Sequence, residues 1–172
     1  MKKLILLALL IIATISAQSQ ITLTATSGTA SGSYATLKGA FDAINAGTHM
    51  GAIVISVNAS TIETASATLN VSSGTANYTS VLIRPTTTDL SISGSIAGAP
   101  LIFLNGATNV TIDGRVNGTG STKSLIISNT STSNTTGTAT IKMDNTALNH
   151  LVEYCILKGS ATVGAGNGTS GI

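Results

Sequence analysis

The chain has 172 residues, of which only 8% are charged and 3% aromatic, with no Trp and one Cys. Its formal net charge is +2, but Lys2 and Lys3 stand at the extreme N-terminus and leave six basic against six acidic residues elsewhere. That balance excludes a basic nucleic-acid-binding surface, and a single cysteine, Cys155, excludes an intrachain disulfide.

The opening stretch, MKKLILLALLIIATISAQSQ, reads as a secretory signal peptide over residues 1–19. It has a positive start, an apolar run over residues 4–12, and small residues at Ala13, Ser16 and Ala17. The run is shorter than the roughly 20 residues needed to span a bilayer. The expectation is a secreted or cell-surface protein with no stable membrane span after cleavage. Residues 20–34, which include ITLTATSGTASG, form a lead-in: either a first edge strand or a loose connection.

Residues 35–47, ATLKGAFDAINAG, carry the one convincing helix. Leu37, Ala40, Phe41 and Ile44 recur at helical spacing and make a single apolar stripe. Thr36 is the expected N-cap and Gly47 the residue that stops the helix. Ahead of a run of strands, such a helix would cover the apolar end and the open strand edges of the first coil.

Residues 48–172 read as β coils. GAIVISVNA places Ile53, Ile55 and Val57 on one face, and Leu69 with Val71 makes a weaker strand. The stretch LIFLNGATNVTIDGR at residues 101–115 has counterparts twenty positions earlier and forty later. Val81 and Ile83 fall on Leu101 and Phe103, then on Ile141 and Met143. Leu90 and Ile92 fall on Val110 and Ile112, then on His150 and Val152. Asp89, Asn109 and Asn149 fall at one corner and predict an Asx ladder. A period near twenty, doubled by the polar insertions at 116–123 and 130–137, predicts a stacked solenoid with three strands per coil. In HLVEYCILKG, Val152 and Leu157 cannot both face inward along one straight strand, so a bend is expected at Glu153–Tyr154. Cys155 is then a small core residue. The tail SATVGAGNGTSGI predicts a loop before a further coil, in a chain truncated at its C-terminus.

Residues 36–159 resemble right-handed parallel β-helix proteins of the pectin-lyase-like superfamily, through TLKGAFDAIN, GAIVISV, NVTIDG and NHLVEYCILKG. The signal peptide with a Thr/Ser/Asn-rich helix is also similar to large secreted or surface proteins of Bacteroidetes-type bacteria. Those commonly carry a C-terminal sorting domain for type IX secretion, to which nothing in this sequence corresponds. The resemblance implies an all-β fold, a right-handed parallel β-helix with one N-terminal capping α-helix. It also implies where chemistry would be sought. Pectate lyases of the superfamily hold Ca²⁺ with clustered carboxylates and use Arg or Lys as base, and polygalacturonase-type members use Asp residues on neighbouring coils.

The acids are Asp42, Glu63, Asp89, Asp113, Asp144 and Glu153. Asp113 in TIDGR, with Arg115 two positions on and Glu153 one coil away, is the only group that approaches a catalytic constellation. Its coil equivalents are read as Ser93 and Glu153, and carboxylates one strand spacing apart (~4.8 Å) can share a proton or hold a cation. The competing expectation is a solvated Asp in a DG turn. His49 and His150 lack zinc-ligand spacing, and neither a nucleophile elbow nor a phosphate loop is present. No catalytic residue is therefore assigned beyond the weak candidates Asp113, Arg115 and Glu153, and no cofactor or metal is expected. The favoured reading is a non-catalytic stalk, adhesin or glycan-contacting scaffold with a polysaccharide or another cell-surface protein as partner. The alternative is the N-terminal part of a polysaccharide lyase or glycoside hydrolase whose catalytic coils lie beyond Ile172. An ice- or mineral-binding solenoid ranks last, because Thr86–Thr88 and Thr108–Thr111 keep no constant file.

Overall fold

The computed structural model describes residues 19–159. The signal-peptide reading, apart from Ser19, and the expectation of a loop and further coil at 160–172 lie outside the described residues. Two strands, β1 (Ile21–Gly28) and β2 (Ser31–Tyr34), precede the helix α1 (Leu37–Asn45). Then come β3 (His49–Val57), β4 (Thr61–Glu63), β5 (Ala67–Asn70), β6 (Tyr78–Pro85), β7 (Leu90–Gly94) and β8 (Pro100–Asn105). The last are β9 (Val110–Asp113), β10 (Leu125–Asn129), β11 (Ala139–Asp144), β12 (Leu151–Glu153) and β13 (Cys155–Gly159).

From β3 onward the chain visits three sheets in turn. β3, β6, β9 and β12 are parallel neighbours in the first sheet, β4, β7, β10 and β13 in the second, and β5, β8 and β11 in the third. This is an all-β solenoid of stacked parallel coils, about four turns long, with one α-helix among the described residues. Residues 21–34 are an ordered hairpin rather than a loose lead-in: β1 pairs antiparallel with both β2 and β3 and extends the first sheet. Ile21 and Leu23 on it are fully buried.

Inside, side chains of successive coils stand on one another in rows. Ile55, Ile83, Ile112 and Val152 make one row, and Ile92, Ile127 and Leu157 another. Each fully buried Leu, Ile or Phe is worth roughly 1.5–3 kcal/mol over its exposed state. The rows correct the period read from sequence. Val81 lies in the first sheet, whereas Leu101 and Ile141 lie in the third, so these three do not stack. An offset of twenty instead compares β6 with β8 and β7 with β9, different sides of the same or adjoining coils. True partners are further apart: Ile53 with Val81, Val81 with Val110, Leu69 with Leu104. On β8, Ile102 and Leu104 pair with Ile141 and Met143, and Leu101 beside them is also fully buried in the core. Phe103 faces out, with Lys142 Nζ 5.3 Å from its ring centre. The offset of forty does mark a real row where Ile112 meets Val152. Val71, expected as an inner strand residue, is exposed, and Ala67 with Leu69 fills the core.

The helix stripe closes the first coil. Leu37, Ala40, Phe41 and Ile44 are all buried. The helix start needs acceptors for its free N–H groups. The Thr36 hydroxyl accepts from Gly39 N–H at 3.1 Å. The Glu63 carboxylate accepts from Leu37 N–H at 2.8 Å and Lys38 N–H at 3.0 Å. That requirement inverts β4: Thr61 and Glu63 are buried, while Ile62 is 72% exposed. At the other end Gly47 has φ +75, and a Cβ there would collide with the Thr75 carbonyl.

Asp89, Asn109 and Asn149 all adopt the left-handed backbone, with φ of 60, 56 and 59. Only the two asparagines form a ladder, Asn149 Nδ2 donating to Asn109 Oδ1 at 3.2 Å. Asp89 stands at a different corner, before β7. A longer ladder runs at the end of the third sheet. Asn145 donates to Asn105 at 2.6 Å and Asn105 to Asn70 at 2.8 Å. Asn45 of α1 begins it by accepting from Asn70 N–H at 3.0 Å. The bend between β12 and β13 falls at Tyr154, with φ of 50, and leaves Val152, Cys155 and Leu157 against the core. Among the described residues no helix is long and apolar enough to cross a membrane.

Candidate functional site

The alternation of β9 turns Val110 and Ile112 inward and leaves Asp113 on the outer side. β12 repeats the pattern one coil on, and Glu153 pairs in register with Asp113. One coil earlier, Ile83 pairs with Ile112, which sets Arg84, not Ser93, beside Asp113. Ser93 belongs to the second sheet, between Ile62 and Ser128. After Gly114 the chain doubles back, and the loop is pinched at its neck where Ser124 N–H donates to Gly114 O at 2.7 Å. This returns Arg115 over the outer face of the sheet.

Arg115 then binds both acids. Its backbone N–H and Nε donate to Asp113 Oδ1 at 3.0 and 2.9 Å, and Nη2 donates to Asp113 Oδ2 at 2.7 Å. The same Nη2 donates to Glu153 Oε1 at 2.8 Å. The guanidinium carbon lies 4.4 Å from the centre of the Tyr154 ring. Arg84 Nη1 donates to Asn117 O at 2.9 Å and ties the loop to β6. Two guanidinium groups therefore face two carboxylates, and the cluster is formally neutral. Asp113 is only 5% exposed, so it is not a solvated turn residue.

The bidentate bond from Arg115 is the first cause that holds the Asp113 carboxyl below the usual carboxylate range, and burial works against it. In return, the bond to Asp113 raises the basicity of Arg115. The chemistry is set by those directions. A general acid needs a carboxyl that keeps its proton near neutrality, and a lyase base must shed one. Asp113 is pushed toward the anion and Arg115 toward the cation. All three sequence candidates thus meet in space, as a closed ion cluster that staples the corner of one coil to the next.

The remaining acids are placed elsewhere. Asp42 pairs with Lys38 at 2.6 Å and Asp144 with Lys142 at 2.8 Å, both in exposed positions. Glu63 caps α1. Among the described residues, no group of three or more His, Cys, Asp or Glu is placed to hold a metal ion. His49 is buried with Nε2 2.6 Å from Tyr34 Oη and Nδ1 2.6 Å from Thr29 O. Burial pushes the Cys155 thiol up to about 12, which makes it a poor nucleophile. Sequence reasoning missed Arg84 and Tyr154. The signal for Arg84 was available, because an alignment on the true row of Ile83 and Ile112 sets Arg84 against Asp113. Compared with protein-family models, with curated proteins and with solved structures, the chain finds no match.

Proposed function

We propose that the chain is a non-catalytic scaffold of a secreted or cell-surface protein, a rigid stalk or adhesin segment whose flanks contact a polysaccharide or another surface protein. One observation carries this reading: Arg115 is bonded to both Asp113 and Glu153, the group best suited to chemistry among the described residues. Export is supported by the pattern of residues 1–19. The finer kinship, with pectin-lyase-like helices and with Bacteroidetes-type secreted proteins, rests on the motifs TLKGAFDAIN, GAIVISV, NVTIDG and NHLVEYCILKG. Glycoside cleavage requires two carboxylates across the scissile bond in different protonation states. β-Elimination requires a base and, in the lyases, a cation. An arginine shared between both carboxylates opposes each of these. The decisive assay is product release from pectate, pectin and a neutral glycan by the purified chain, with and without Ca²⁺. No turnover is expected. Turnover abolished by Asp113→Asn would overturn the proposal and assign the chain to the polysaccharide lyases or glycoside hydrolases.

A further inference from the structure

Leu151 pairs with Thr111 and Val152 with Ile112, so His150 takes the inward position above Val110. The same row holds Ile53 and Val81 in the earlier coils. A histidine thus completes a column of β-branched apolar residues. Both of its ring nitrogens are out of water and neither has a hydrogen-bond partner. We propose that His150 is an acid-sensitive latch, its neutral ring holding the last described coil, β12 and β13, on the coil beneath and its protonation releasing that coil.

The surroundings offer the cation little: the backbone carbonyls of Val110 and Ala107, neither in full hydrogen-bond geometry, favour protonation, and burial outweighs them. The charged groups of the packed elements are engaged elsewhere: Asp113 of β9 and Glu153 of β12 on the outer face with Arg115, Lys142 and Asp144 of β11 with each other. Cys155, which opens β13, is held as the neutral thiol. Burial accordingly lowers the basicity of His150 below that of a free imidazole. A lowered histidine means that the folded coil binds fewer protons than the unfolded one. Its stability is whole above the ordinary imidazole value of about 6.5 and falls as pH drops from there toward the folded pKa. The Asp113 carboxyl is held below the ordinary carboxylate range, outside the window between pH 7 and pH 5. Release would leave β9 and β10 as open parallel edges.

Hydrogen exchange on the full chain tests this. Between pH 7 and pH 5, protection factors of the Leu151–Gly159 amides should fall, by up to about tenfold per pH unit, while those of β3 stay level. The exchange of β3 also controls for His49, which lies on that strand. In His150→Val, the residue found at 110, the fall should disappear. Unchanged protection in the wild type, or a fall that persists in His150→Val, overturns the latch. A titration of the His150 ring by NMR in the wild-type chain needs no variant. A midpoint below that of free imidazole supports the latch, and one at or above it overturns it.

Discussion

The first coil and the last described coil are built from the same alternating strands and differ in how far their apolar side chains are buried. At the first coil, Leu69 is fully buried beneath α1, and Ile21 and Leu23 of the hairpin cover the next strands. At the last described coil, the residue in the same row, Met143, is 39% exposed, and Leu151 and Leu148 are 49% and 60% exposed. Alternation decides which way a side chain points; the layer stacked on it decides whether that direction is dry. A solenoid's stability is a sum over neighbouring layers, so each coil is held by the layers that stack on it. The polar devices track the same gradient. The first coil has a carboxylate capping a helix start and an asparagine tied to the helix, whereas the last described coil is tied down by the solvent-edged Arg115 cluster.

The largest test of that contrast is truncation inside the closed end. Phe41→Ala should cost on the order of 3–5 kcal/mol, because its ring is fully buried between helix and first coil. Leu104→Ala, in the middle of its row, should cost about 2–5 kcal/mol. Denaturant melts check both, and a loss below about half a kcal/mol for Phe41→Ala would make the helix peripheral.

Next comes Glu63→Gln. It keeps one acceptor for the helix start but removes the charge and one of two bonds, so a loss of about 1–2 kcal/mol is expected. The same melts report it, and an unchanged midpoint would show that the inverted β4 strand has another cause.

Asp113→Asn should cost about 1 kcal/mol, since the carboxylate is covered but its partner Arg115 remains partly in water. The pH sign is defined. A carboxyl held below its ordinary value contributes stability above the unfolded value of about 3.9 and loses it as pH falls through the folded value. Melting temperature plotted against pH should therefore drop less steeply below pH 4 in Asp113→Asn than in the wild type. Parallel curves would show that the cluster contributes nothing.

The smallest effect is expected in the last described coil. Met143→Ala should cost under about 1 kcal/mol, because much of the side chain is already in water. A loss equal to that of Leu104→Ala would mean that the last described coil is as dry as the ones beneath it.

Much of this fold is legible along the chain because its signals are local. The stripe of Leu37, Ala40, Phe41 and Ile44 needs only helical spacing. The bend at Tyr154 is required by Val152 and Leu157 being out of phase. The inner faces of β3, β6 and β7 come from period-two alternation, and Asp113 with Arg115 is two residues apart in one turn. Register is different in kind. Every side of every coil shares the same alternation, so a sequence offset cannot tell a neighbour around the coil from a neighbour along the axis. Loop lengths set that difference, and they vary from the single residue at Tyr154 to the long excursion after Gly114. Hence Val81 met Val110 rather than Leu101, and Arg84 came to Asp113 unannounced. Glu63 shows the same limit in reverse. Nothing along the chain marks Glu63 as an inward residue, and its partners, the Leu37 and Lys38 N–H groups, lie on a helix brought to it by the fold. Contacts among near neighbours in the chain were determined by the sequence itself; those that required one coil to settle on another were decided only by the tertiary structure.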